Sequence, residues 1–241
     1  MKIVYISRSI LPSRTANSIN VMKMCNTFAS LGHEVILLAP WTKKLEEKGI
    51  DDIFNYYGVE ENFTLKKLYA PSIKYLKKRI YSWRCLKEVQ REKPDLVYGR
   101  DDMFAFYLTQ KNGFFSLFEK HEPYDGKGFN DFFFDKFIQN NKNNLKLVVN
   151  SNELRKMYNK SCNINLDSIL AASNGTNIIP NDDIPQNVKL DEERIQIGYV
   201  GSLFKTEILY EPARGVYFTP FNSIILYQYV DNFWQCVLIA N

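Results

Sequence analysis

The run Leu117-Phe118-Glu119-Lys120-His121-Glu122-Pro123 places three charged residues and a histidine directly after an apolar stretch. A histidine changes charge near neutral pH, so in such company it can move a proton or orient a hydroxyl-bearing ligand. A lone histidine is also often structural. A second group follows Leu96–Gly99, where Arg100 precedes Asp101 and Asp102. Its guanidinium can grip a phosphate or carboxylate with two N–H groups, or pair with those aspartates. A third lies in Arg8–Asn20, with Ser9, Ser13, Arg14, Thr15, Asn17 and Ser18 leading onto a predicted helix. This cluster suits a small anion or a hydroxyl-rich ligand, and it equally suits a solvated loop with an N-cap.

Several chemistries are disfavoured at once. Arg8–Asn20 contains no glycine, although backbone must approach a dinucleotide pyrophosphate closely in that loop. There is no Walker A pattern and no D-x-D triplet. The four cysteines are far apart, and only His33 and His121 accompany them, so no zinc site is recognisable. His33 falls in a helix-to-strand turn (Leu31-Gly32-His33-Glu34) at the opposite end of the sheet from ligands, and reads as structural. No metal and no cofactor is expected.

These residues need a scaffold, and the hydrophobic pattern supplies one. Apolar strand runs at Lys2–Ser7, Glu34–Ala39, Phe63–Ala70, Leu96–Gly99, Phe115–Glu119, Leu145–Asn150 and Ser168–Ala172 alternate with segments of helical period. The helical segments are Asn17–Leu31, Ser72–Lys93, Phe104–Thr109, Phe129–Asn141 and Asn152–Lys160. The rhythm predicts a doubly wound, mostly parallel, Rossmann-like α/β sheet. Ligands bind such sheets beyond the carboxyl ends of the strands, where the order reverses. Ser9, Arg14, Thr15, Arg100, His121, Glu122 and Ser151 fall in loops at that edge, and Asn17 opens the helix that follows the first of them.

The 241 residues, 45% of them hydrophobic, are ample for a core, and the net charge of +4 is mild. Nucleic acid is not an expected partner. Cysteine usage fits reduced thiols in a cytoplasm, and no signal peptide or membrane-spanning stretch is recognisable. The helix 72–93 is rich in Lys and Arg around its apolar stripe. It reads either as an ordinary solvated face or as a peripheral contact with the inner face of an anionic membrane. Residues 1–172 form the predicted main domain, 173–194 a linker, and 195–241 a fresh strand followed by an irregular aromatic tail.

With these marks in order, the chain resembles family 4 glycosyltransferases of the GT-B fold, in their N-terminal, acceptor-side half. The resemblance rests on the opening MKIVYISRSILPSRTANSINVMKMCNTFASLGHEVILLAP and on Lys93–Tyr98, Phe118–Pro123, Val148–Leu154, Asn174–Asn177 and Ile197–Leu203. It implies retaining, metal-independent transfer of a sugar from a nucleotide-sugar to a glycan or lipid-linked acceptor, in surface polysaccharide or glycolipid assembly. It also implies that His121 helps position the donor sugar and acts as the catalytic residue. Ser9, Arg14, Thr15, Asn17, Arg100, Glu122 and Ser151 would face substrates, with Gly201 and Lys205 near the donor diphosphate.

The family's lysine-glycine pair and glutamate pair have no counterpart after Lys205. The expectation is therefore a truncated or frame-disrupted enzyme, or one half of a split enzyme with a separately encoded C-terminal partner. A non-catalytic remnant that binds a glycan or partner is the alternative.

Overall fold

A computed structural model describes residues 1–42, 46–71, 73, 76–140, 147–173, 196–199, 223–230 and 233–240. Seven parallel strands form one sheet: β1 (Lys2–Ile6), β2 (Glu34–Trp41), β3 (Thr64–Tyr69), β4 (Leu96–Arg100), β5 (Ser116–Lys120), β6 (Leu147–Val149) and β7 (Ile169–Ala171). Their spatial order is β3-β2-β1-β4-β5-β6-β7. The helices between them are α1 (Ala16–Ser30), α2 (Ile53–Tyr56), α3 (Leu76–Glu92), α4 (Met103–Lys111), α5 (Gly128–Asn140) and α6 (Asn152–Cys162). The single turn α2, capped by Asp52, was not foreseen.

The strands read as unbroken apolar runs because both faces of the sheet are covered. In β1, Ile3 and Tyr5 join Val21, Met22 and Cys25 of α1 in one core layer. Val4 and Ile6 point the other way, into the layer of Tyr81, Cys85 and Val89 of α3 and Phe106 of α4. The phenylalanines of α5 complete that second layer, where Phe134 and Phe137 are fully buried. Phe106 and Phe118 meet edge to face with ring centroids 5.0 Å apart.

The chain runs outward from β1 through β2 to β3, then crosses back to place β4 on the other side of β1. The strand order reverses there, between β1 and β4, and the connections leaving the two strands diverge to opposite faces. Gly99 pairs with Ile6 at this point. Its φ is +139°, and a Cβ there would lie 2.2 Å from the Ile6 carbonyl oxygen. Only glycine fits such an approach.

The chain divides into two units, Met1–Gly175 and Thr176–Asn241. In the second, β8 (Gln196–Tyr199), β9 (Ser223–Val230) and β10 (Phe233–Ala240) form an antiparallel sheet in the order β8-β10-β9. The fresh strand expected at its start is β8, whereas the irregular tail expected to follow it is corrected by β9 and β10. β-branched and aromatic residues suit a pleated surface, and SIILYQYV and FWQCVLIA pair along their full length. The predicted linker 173–194 lies outside the described residues except for its first position.

Candidate functional site at the strand crossover

The carboxyl ends of β1, β4 and β5 border a polar cavity of about 480 Å³. Arg8, Asn17, Arg100, Asp101, Glu119, Lys120, His121, Glu122 and Asn130 line it, with Met103 and Phe118 as apolar wall. A larger, open depression of about 690 Å³ lies at the opposite strand edge, around Glu34, Phe54, Glu61, Asn62 and Phe63. It has no comparable convergence of cations and a histidine, so the crossover cavity is the candidate site.

The register of β4 against β5 sets the central contacts, since Arg100 stands opposite Glu119. The Arg100 guanidinium lies 3.0 Å, through Nη1, from His121 Nδ1. His121 Nε2 makes a short hydrogen bond to Glu119 Oε1. Tyr98 donates its hydroxyl to the other carboxylate oxygen, Glu119 Oε2, at 2.8 Å. An arginine only donates and a carboxylate only accepts. A neutral ring with its proton on Nε2 and Nδ1 as acceptor would satisfy both contacts, with Arg100 Nη1 also 3.3 Å from Nε2. Burial alone would push the Glu119 carboxyl up, but hydrogen bonds from His121 and Tyr98 and the nearby Arg100 charge hold it below its ordinary range. Arg100 Nε is buried without a hydrogen-bond partner among the described residues. Donor capacity is thus left over beside the cavity.

The β1 side is built around Asn17. Its amide donates to Ser9 Oγ and to Asp101 Oδ2, both at 2.7 Å, and Arg8 Nη1 donates to the Asp101 carbonyl at 3.3 Å. These bonds tie the β1 loop to the β4 loop across the reversal. Asp101 has φ +76°, a left-handed conformation that costs a non-glycine residue about 1–2 kcal/mol. Aspartate is among the residues that tolerate it best.

The structure thus brings together Asn17, Arg100, His121 and Glu122 of the residues singled out in the sequence. Ser9 is buried behind Asn17 as its hydrogen-bond acceptor. The others are placed elsewhere. Arg14 has a side chain 78% exposed and pairs with Glu47 at 2.6 Å, away from the cavity. Thr15 caps α1 by accepting from the Ser18 amide, and Ser151 caps α6 by accepting from the Leu154 amide. Gly201 and Lys205 lie outside the described residues. Arg8, Asp101, Glu119, Lys120 and Asn130 line the cavity without having been proposed as site residues. Arg8, Asp101, Glu119 and Lys120 were at least visible as members of the polar clusters.

No family model and no curated protein matches the chain. Solved structures do. A glycosyltransferase from Rickettsia africae ESF-5 superposes with TM-score 0.50 and 15% identity, over 78% of this chain and 50% of that one. Anabaena Alr3699/HepE, in complex with UDP and glucose, gives TM-score 0.50 and 8% identity over 73% and 45%. The shared fold is the doubly wound α/β sheet present in these glycosyltransferase structures. The chain spans about half the length of these proteins, and at such identities the likeness is one of fold alone.

The Glu119 contacts make a prediction about pH. Glu119→Gln should lower the free energy of unfolding at pH 7 by about 1–3 kcal/mol, because Tyr98 and His121 lose a charged acceptor. The folded carboxyl titrates below its ordinary value of 4.5. Its stabilisation is therefore complete above that value and is lost as pH falls through the folded one. Urea unfolding at a series of pH values should show the gap between parent and variant closing as pH falls below 4.5. A gap that is the same in acid as at pH 7 would contradict the assignment.

Proposed function

We propose that the crossover cavity is the part of a nucleotide-sugar glycosyltransferase site, of the family 4 type, that the acceptor-side half contributes, where the acceptor meets the sugar and phosphates of the donor. The reaction is metal-independent transfer of a hexose, with retention, to a glycan or lipid-linked acceptor in polysaccharide or glycolipid assembly. The observation that supports this most is Arg100, a guanidinium with unspent donors next to a histidine, at the edge where a doubly wound sheet receives ligands. A departing nucleoside diphosphate gains negative charge, and cations already in place around it lower the barrier without reorganising. Arg8, Arg100 and Lys120 line the cavity, although Lys120 also pairs with Asp131 at 3.5 Å.

His121 has a more specific role in this reading than sequence alone suggested. Both of its ring nitrogens already face protein partners. When Arg100 turns to a phosphate, Nδ1 is released to accept a sugar hydroxyl, while Glu119 keeps the ring oriented from behind. Asp101 and Glu122 add acceptors for further sugar or acceptor hydroxyls.

The chain should therefore bind UDP-glucose measurably in calorimetry. Arg100→Ala should weaken that binding by about 10–100-fold, the value of one charge-assisted contact. Arg14→Ala should leave it unchanged. Equal affinities for parent and Arg100→Ala, or no binding at all, would contradict the reading.

A peripheral contact with the inner face of the membrane is part of the same proposal. The outward side of α3 carries Trp83, 52% exposed, and exposed Leu76, together with Arg79, Arg84 and Lys87. Aromatic and aliphatic side chains ringed by cations suit an anionic lipid surface. Among the described residues, no helix is long and apolar enough to cross a membrane. The chain should co-sediment with phosphatidylglycerol vesicles more strongly than with phosphatidylcholine vesicles. Trp83→Ser combined with Lys87→Gln should abolish the difference; an unaltered difference would rule this face out.

A further inference from the structure

A second, smaller cavity of about 80 Å³ lies beside the first, between the end of β1 and the first turn of α3. Arg8, Lys77, Lys78, Tyr81 and Asp102 line it. We propose that it is a phosphate subsite, holding a phosphomonoester carried by the acceptor.

Lys77 and Lys78 are set apart from the other basic residues of α3. Arg79, Arg84 and Lys87 are exposed on the outward side with Trp83, whereas the two lysines are half-buried on the side that continues as Tyr81, Ser82 and Cys85. They stand in the first turn, which has no acidic residue. The amide dipoles already make that end of a helix positive, so cations are disfavoured there and an anion is favoured. Arg8 adds a third cation. Among the described residues, none of the three pairs with a carboxylate. Burial, then the Arg8 charge, lowers the Lys78 ammonium below its ordinary value, and the nearby Asp102 offsets this only in part, so an oxyanion would relieve the cluster further.

Asp102 is an independent indication of a ligand. It is only 4% exposed. Its Oδ1 accepts from Ser82 Oγ at 2.9 Å and from the Ala105 amide at 3.1 Å. Its Oδ2 is buried with no partner among the described residues. Burial raises the Asp102 carboxyl above its ordinary range; an anion placed beside it would favour the protonated form further, and its hydroxyl would then donate to a phosphate oxygen. The lysines and Arg8 meet the remaining phosphate oxygens.

Size narrows the ligand. At about 80 Å³ this cavity is small beside the crossover cavity of about 480 Å³, which suits a compact anion such as one phosphoryl group. Arg8 borders both cavities, so the rest of the ligand extends past it towards Arg100 and His121. Assigning the phosphate to the acceptor rests on the transferase reading; the phosphate subsite itself does not.

The test is a titration with inorganic phosphate, glucose 6-phosphate and glucose at constant ionic strength, followed by calorimetry. Both phosphates should bind saturably, glucose 6-phosphate more tightly than either phosphate or glucose. Lys78→Gln should weaken both by about tenfold or more, and Arg79→Gln, the same charge change on the outward face, should not. Three results would overturn the subsite: no saturable phosphate binding, equal weakening in Arg79→Gln, or weakening in Arg100→Ala with none in Lys78→Gln. Phosphate binding that persists while UDP-glucose fails to bind would count against the transferase reading alone.

Discussion

The contact between β1 and β4 at Ile6 and Gly99 governs the rest of the main unit. A side chain at position 99 would drive its Cβ into the Ile6 carbonyl. Without one, the two strands lie in register up to the edge of the sheet. Beyond that edge the β1 chain passes to α1 on one face and the β4 chain to α4 on the other. The crevice between them comes from this topology, and the residues that follow each strand inherit positions around it.

The polar wall of that crevice is preorganised from beneath. Tyr98 and Glu119 are buried and fix His121 through a carboxylate whose proton affinity is lowered by its partners. Arg100 closes the row from the neighbouring strand. Buried charges stay ionised only where such partners surround them. On the other side, Asn17 and Arg8 hold the left-handed Asp101 loop. A ligand that replaces the Arg100–His121 contact meets groups already held in position, the condition under which electrostatic stabilisation acts without reorganisation.

Sequence reasoning reached the sheet, its parallel sense and the edge that carries chemistry, because strands covered on both faces show as short apolar runs between turn signals. It did not separate ligand-facing polar residues from caps. Thr15 and Ser151 are the residue types that serve both purposes, and only geometry shows each accepting from an amide of its own helix. Glu119 was placed inside a strand, and nothing in its spacing says that it stands opposite Arg100; pairing register is a tertiary fact. Asp101 owes its position to a backbone conformation that its residue type permits without requiring. The short helix Ile53–Tyr56 has too few residues to show a period. In the tail, the absence of helical period led to an expectation of irregularity, whereas β-rich composition produced paired strands.

The central claim is that a nucleotide-sugar ligand is received at the crossover. Amide chemical-shift mapping of the ¹⁵N-labelled chain during addition of UDP-glucose addresses it directly. The account predicts that the largest shifts cluster at residues 7–9, 17, 100–103 and 119–122. Shifts concentrated at the opposite edge, around Glu34, Asn62 and Phe63, or spread evenly over the sheet, would contradict it.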